Sequence, residues 1–209
     1  MNILDDIRKD FSTTTFVLIP VIIAINIVLG EIALQLKLPV YLDGTGTIFL
    51  AALCGPWAGA LTGALTNIVW GLTIDPNMFP WFPVAIFIGL VAGFMARAGW
   101  LRSWWRTVVT GVVVSVFTTL TSTPIAVYLY GGITTSGSSF VTAMLLQSGQ
   151  SLWQAVITTS VLTDPLDKVT SALMAFAVLK ALSPRFLARF PRAENVVKAA
   201  PHETDVAAA

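Results

Sequence analysis

Cysteine and histidine are nearly absent: the sequence holds one of each, Cys54 and His202. A single cysteine excludes a disulfide scaffold and a cluster of thiolate metal ligands. A single histidine, in a polar C-terminal stretch, leaves no usual zinc arrangement. Charge is scarce as well. Asp, Glu, Lys and Arg make up 11% of the 209 residues, against about a quarter in a soluble domain. A net charge of +1 offers no basic footprint for phosphates, which argues against nucleic-acid binding. No GxxxxGK(S/T) phosphate loop is present, so the chain brings no nucleotide site of that kind. What is abundant is apolar: 56% of residues are hydrophobic and the mean hydropathy is +0.80. A water-soluble fold of this size cannot bury that much apolar surface, so the expectation is one all-α bundle in a lipid bilayer. No signal peptide is apparent. The first apolar run begins near residue 14 and is as long as a full span, and the charged residues 1–10 read as a short cytosolic leader.

A crossing helix needs about 20 apolar residues. The first span runs over residues 14–36 and stops near Pro39. The apolar stretch 44–72 is long for one span and short for two, and Gly55-Pro56 divides it into helices over 43–54 and 56–73. Further helices are expected at 81–98, 107–130 and 166–182, with 140–163 ambiguous. Charge placement decides the ambiguity. Arg8 and Lys9, then Arg97, Arg102 and Arg106, then Lys180, Arg185, Arg189, Arg192 and Lys198 form three basic clusters that belong in the cytoplasm. The loops 74–80 and 131–139 contain no Lys or Arg and belong outside. From 131–139 to the basic C-terminal end the chain must cross an odd number of times. So 166–182 spans and 140–163 stays at the outer side as a structured loop. The expectation is a six-transmembrane-helix bundle over residues 1–183, a cytoplasmic polar tail over 184–209, and both termini inside.

Small residues mark close packing. Gly55, Gly59 and Gly63 repeat every four residues, and Gly89 and Gly93 repeat the pattern. Such spacing lets helix backbones approach, either within the bundle or against a separate membrane partner. Asn26 and Gly30 form another close-approach pair.

Polar groups inside an apolar bundle are costly and face its interior or a ligand. Glu31 either snorkels outward or faces inward to a donor. Asp43 either caps the second helix or, with the Gly/Thr-rich start that includes Thr45, lines a polar pocket. Asn67, Trp70, Asn77 and Trp81 gather toward the outer side, as do Gln147, Gln150 and Trp153, which read as a lid. Each outer tryptophan is either an interfacial anchor or a stacking surface for a flat ligand. The hydroxyl run from Thr118 to Thr123 either bonds back to its own helix near Pro124 or forms a cavity wall. Asp164-Pro165-Leu166-Asp167-Lys168 has the form of a helix start, with Asp164 as N-cap, Pro165 at the first position and Asp167 at the third. The same Asp164, Asp167 and Lys168 would meet a polar molecule at the outer mouth. No carboxylate pair is accompanied by a nucleophile–histidine arrangement, and Cys54 sits in apolar company as a packing residue. No catalytic residue, metal site or cofactor is expected, and the chain reads as non-enzymatic.

The stretch 41–72, YLDGTGTIFLAALCGPWAGALTGALTNIVWGL, resembles the substrate-binding membrane subunits (S components) of energy-coupling factor (ECF) vitamin transporters. The similarity rests on a polar start to the second helix followed by Gly55, Pro56, Ala58, Gly59, Ala60, Gly63 and Asn67, and on the polar entry to a final helix at 164–168. The resemblance implies a multi-pass plasma-membrane subunit that binds a vitamin or vitamin precursor from outside. It implies a pocket built from the loop after the first span, later helices and the loop before the sixth. It further implies partners: a coupling membrane protein and two cytoplasmic ATPases, with the subunit toppling in the lipid to release its cargo. In that family small residues of the first span meet the coupling protein; here Ala24, Asn26, Gly30 and Ala33 are the nearest material, and a clean AxxxA is missing. The alternative is a standalone ion-coupled secondary transporter using Glu31 or Asp164, which would show an inverted repeat that this sequence lacks.

Overall fold

The computed structural model describes residues 3–196 and is helical throughout, with no strand among the described residues. After a short amphipathic α1 (Ile3–Asp10), the chain forms α2 (Thr13–Gln35), α3 (Thr45–Cys54), α4 (Pro56–Thr73), a 3-10 turn (Pro76–Trp81), α5 (Phe82–Arg97) and α6 (Trp104–Tyr130). It continues through α7 (Ser139–Gln147), α8 (Leu152–Ala181), the single turn α9 (Pro184–Leu187) and a last 3-10 turn (Ala193–Asn195). Helix ends follow local chemistry. Ser12 caps α2 through a reciprocal pair with Thr15. The break between α3 and α4 falls at Gly55-Pro56, with Gly55 at φ 105° and Pro56 opening α4.

Three segments are long and apolar enough to cross a membrane by length and composition alone: Thr13–Gln35, Pro76–Arg97 and Trp104–Tyr130. α3 has ten residues, nine of them buried, and spans about 15 Å at 1.5 Å per residue. It is enclosed by α2, α4, α5 and α8, while α6 lies along α8 and α4 along α5. The glycine repeats serve that α4–α5 contact. A Cβ on Gly89 would overlap the backbone of Gly59 and Ala60, one on Gly63 the carbonyl of Ala85, and one on Gly93 the backbone of Pro56. These small residues are intramolecular packing.

Two expectations are corrected. The helix start expected at Asp164 is not there: α8 is one helix of 30 residues with Pro165 inside it. Its start is Ser151, whose side chain accepts from the Gln154 amide while Gln154 reaches back to Ser151 N–H. Asp164 and Asp167 cap nothing on α8, because their carboxylates are taken by Thr119 and by the backbone of Tyr41 and Leu42. Residues 140–163 therefore divide between the nine-residue α7, too short to cross, and the first half of α8.

The other correction concerns the segment from 184. Residues 184–196 are packed: Leu187, Phe190 and Val196 join the main core. The physical cause is the C-terminal end of α3, whose last carbonyls lack helical partners. Arg192 N–H donates to Leu53 O at 2.9 Å and the Asn195 amide to Ala52 O at 3.2 Å. The part of the expected tail that includes Lys198 lies outside the described residues. At the same end, Asp10 is fully buried and accepts from Arg97 at 3.0 Å, Arg192 at 2.9 Å and the first-turn N–H of Trp57 at 3.2 Å. Asp6 pairs with the same two arginines. The residues 1–10, expected as a leader, thus contribute α1 to a charged clasp joining it to α4, α5 and the C-terminal segment.

Candidate binding cavity

At the opposite end a cavity opens between α4, α5, α6 and α8. Its acidic floor comes from Asp43, just before α3, and from Asp164, Asp167 and Lys168 on α8. Asp167 Oδ1 accepts the N–H groups of Tyr41 and Leu42 at 3.0 and 2.8 Å, and Oδ2 accepts from Lys168 at 2.5 Å. Asp167 and Lys168 are both almost fully buried, and the second Asp167 oxygen is satisfied by backbone. Asp164 accepts from the Thr119 hydroxyl at 2.7 Å. One wall is hydroxyl-rich: Thr118 and Ser122 from α6, Thr142 from α7, and Thr159, Ser160 and Thr163 from α8. The remaining wall is apolar, with Met78, Trp81, Val84, Ala85, Ile88, Ala126 and Val156. Trp81 stacks on Tyr130 with ring centroids 5.4 Å apart and planes 15° from parallel.

Two loops roof the cavity. Tyr41 comes from 36–44, and Gly132, Thr134 and Ser138 from 131–138. The loops are knitted together: Lys37 donates to Thr135 O at 3.3 Å, the Tyr41 and Thr134 hydroxyls are 3.5 Å apart, and Gly137 lies against the Lys37 carbonyl. Lys37 and Leu42 both adopt positive φ, 52° and 59°, a cost the surrounding contacts hold in place.

Of the thirteen ligand-facing residues expected from sequence, six line this cavity: Asp43, Asn67, Trp81, Asp164, Asp167 and Lys168. Seven do not. Trp70 is fully buried against Gly30, and its indole N–H donates to Glu31 at 2.7 Å, so each of this pair has found a partner in the other. Thr45 is buried in the first turn of α3. Asn77 is exposed, its amide donating to Asp75 at 2.9 Å. Gln147 ends α7 in an exposed position, and Gln150 is not part of the lining. Trp153 is 41% exposed and sits edge-on to Tyr128 on the outer face of α6 and α8, where an interfacial anchor belongs. The 36–44 and 131–138 loops with α7 thus cover the cavity, and Gln147, Gln150 and Trp153, expected as a lid, are not part of its lining.

The four residues expected to dock a partner also separate. Asn26, Gly30 and Ala33 are buried, and only Ala24 faces outward. Asn26 faces inward because its amide satisfies three groups at once: it donates to Thr47 and Thr66 hydroxyls at 2.9 and 3.2 Å and accepts from Gly46 N–H at 2.8 Å. Tyr41, Met78, Thr134, Ser138, Ser139, Thr142 and Thr163 line the cavity without having been expected. Ser and Thr are frequent throughout this chain, and only the fold tells lining hydroxyls from back-bonded ones such as Thr73.

The sequence model of the family described as ECF transporter, substrate-specific component, matches residues 14–180. The chain belongs to that family. No curated protein and no solved structure matches it. Substrate-specific components are membrane-embedded, multi-pass transporter subunits rather than enzymes, and they work with a small-molecule substrate and a module of a membrane coupling protein and ATPases. The matched range takes in every membrane-length helix and the whole cavity lining, but not α1, α9 or the last 3-10 turn. In this substrate-specific component the charged clasp thus lies largely outside the family's shared span, and the cavity lies within it.

Proposed function

We propose that this component captures a small molecule of vitamin or vitamin-precursor size in the cavity and hands it to a coupling membrane protein driven by two cytoplasmic ATPases. The observation that carries this reading is the cavity itself: a polar floor, an apolar wall that includes Trp81 and a two-loop roof at one end of the bundle. Charge placement supports an outward-facing mouth. The Lys- and Arg-free 74–80 and 131–139 segments lie at the cavity end, and Arg97 and Arg192 gather at the other. In this reading α2, α3, α4, α5, α6 and α8 are the six crossing elements, both termini are cytoplasmic, and α7 rests at the outer surface. The coupling protein meets the exposed face of α2, where Ala24 lies among Val21, Ile25 and Val28.

The test is a ligand carried through purification in detergent, released and identified by mass spectrometry, followed by titration into the emptied protein. A single compound retained near one per chain, and lost in Trp81→Ala, is the expected result. A chain that retains and rebinds nothing, while still folded, would sink the reading. Uptake in cells that survives loss of the ATPases would remove the proposed partners.

A further inference from the structure

The cavity has an unbalanced charge. Three carboxylates and one ammonium line it: Asp43, Asp164, Asp167 and Lys168. Lys168 is committed to Asp167, whose other oxygen is filled by two backbone N–H groups. Asp164 receives a hydroxyl, which carries no charge. Asp43 receives no hydrogen bond from another side chain among the described residues. The cavity lining therefore holds three carboxylates against one ammonium that all three share, an excess of negative charge that is costly unless a ligand supplies the balance. Asn67, 2% exposed, lines the same cavity and adds an uncharged amide that can both donate to and accept from a ligand group.

The apolar part of the cavity gives the ligand's body. Ala126, Val127 and Val156 cluster with Trp81. On antiparallel α6 and α8 that cluster lies eight residues from the level of Thr119 and Asp164, about 12 Å along the helices. A bare metal ion would find nothing to bind over most of that length. Among the described residues, moreover, no three His, Cys, Asp or Glu side chains come together as a metal-ligand group.

We infer that the cargo is a small organic cation: a flat, largely apolar ring bearing a protonated amine or a charged ring nitrogen. Asp43 and Asp164 are its counter-charges, Trp81 covers its ring, and Asn67 takes one hydrogen-bonding substituent. This rests on the cavity being the substrate site.

The test uses two matched series titrated into the purified full chain in nanodiscs, read by calorimetry and by thermal shift. One is tryptamine, tryptophol and indole-3-propionate; the other is pyridoxamine, pyridoxine and 4-pyridoxate. Each series keeps one ring and varies only the charge. The expected result is that the cation of at least one series binds tenfold or more tighter than its neutral partner, with the anion weakest. Asp43→Asn and Asp164→Asn each weaken the cation tenfold or more and leave the neutral compound within threefold. Asn is close in shape to Asp, and retention of the thermal transition in each variant shows that it still folds. A tighter anion or neutral compound, with binding lost in Trp81→Ala, overturns the cation assignment and leaves the cavity standing as the site. Cation binding unchanged in both Asn variants overturns the two counter-charges. If no compound of either series binds while the purified chain still yields a retained ligand of its own, the cation assignment falls and the substrate-site reading stands; if the folded chain also retains nothing, that reading falls as well.

Discussion

The Asn26 side-chain carbonyl accepts the backbone N–H of Gly46 at 2.8 Å, so one residue of α2 holds the first turn of α3. The N-terminal N–H groups of a helix have no partners within it, and here the amide supplies one while its nitrogen reaches Thr47 and Thr66. Replacing Asn26 with Leu strands those groups inside the bundle. The loss is expected to be about 1–3 kcal/mol, read as a lower thermal midpoint in detergent. Asn26→Asp is expected to be worse than Asn26→Leu, because it buries a charge without a cation.

Gly89 and Gly59 set the distance between α5 and α4. A methyl group on Gly89 has nowhere to go but into the Gly59–Ala60 backbone, which cannot yield as a side-chain tip can. Gly89→Ala is expected to cost about 1–3 kcal/mol and Gly89→Leu to abolish the folded yield. Gly89→Ala with an unchanged thermal midpoint would show that the helices separate freely.

The charged clasp predicts both a mutational and an acid response. Removing Arg192 leaves fully buried Asp10 with Arg97 alone, and the cost is expected at the lower end of about 3–5 kcal/mol. The hydrogen bond from Arg192, then that from Arg97, hold the Asp6 carboxyl below its ordinary value of 3.8. A depressed carboxylate contributes stability that is present above the unfolded pKa and is lost as pH falls through the lower folded value. Asp6 therefore contributes a loss of thermal midpoint below about pH 4; burial pushes the Asp10 carboxyl up and opposes that loss, and Arg192→Ala, which removes the main cause of the Asp6 shift, should flatten the acid limb.

Two tryptophans separate the pocket from the belt. Trp81→Ala is expected to weaken ligand binding at least tenfold, whereas Trp153→Ala, on the exposed outer face, is expected to leave affinity within twofold. Calorimetry on both variants checks this, and equal losses would return Trp153 to the lid.

Much of this architecture was legible. Gly55-Pro56 could be read as a break because a positive-φ glycine before an N1 proline has few other uses. Basic clusters led to the expectation of one crossing helix between 140 and 182, and the structure holds one long helix there, α8. Its start was misplaced because Asp164-Pro165 is a stronger local cue than Ser151 and Gln154, although those two form the capping box found here. Local pattern could not reveal that Thr119, from α6, claims Asp164. In the site, acids and Asn67 were legible because an apolar interior tolerates them only for a reason. Trp70 and Glu31 misled for the same reason, since each was the other's answer. The hydroxyl wall was only partly visible, because Ser and Thr satisfy themselves on their own helix as readily as they line a cavity.

The shortness of α3 carries a further consequence. Its ten residues fill about half the depth of a hydrocarbon core. From Thr45 onward α3 is buried almost throughout; just before it, Tyr41 and Asp43 already line the cavity. The cavity thus lies beyond the N-terminal end of a short helix, and where α3 begins limits how far it can reach. Extending α3 by two turns toward residue 37 would plug the space with peptide. Related chains could therefore trade cargo size against the length of this one helix without redesigning the rest.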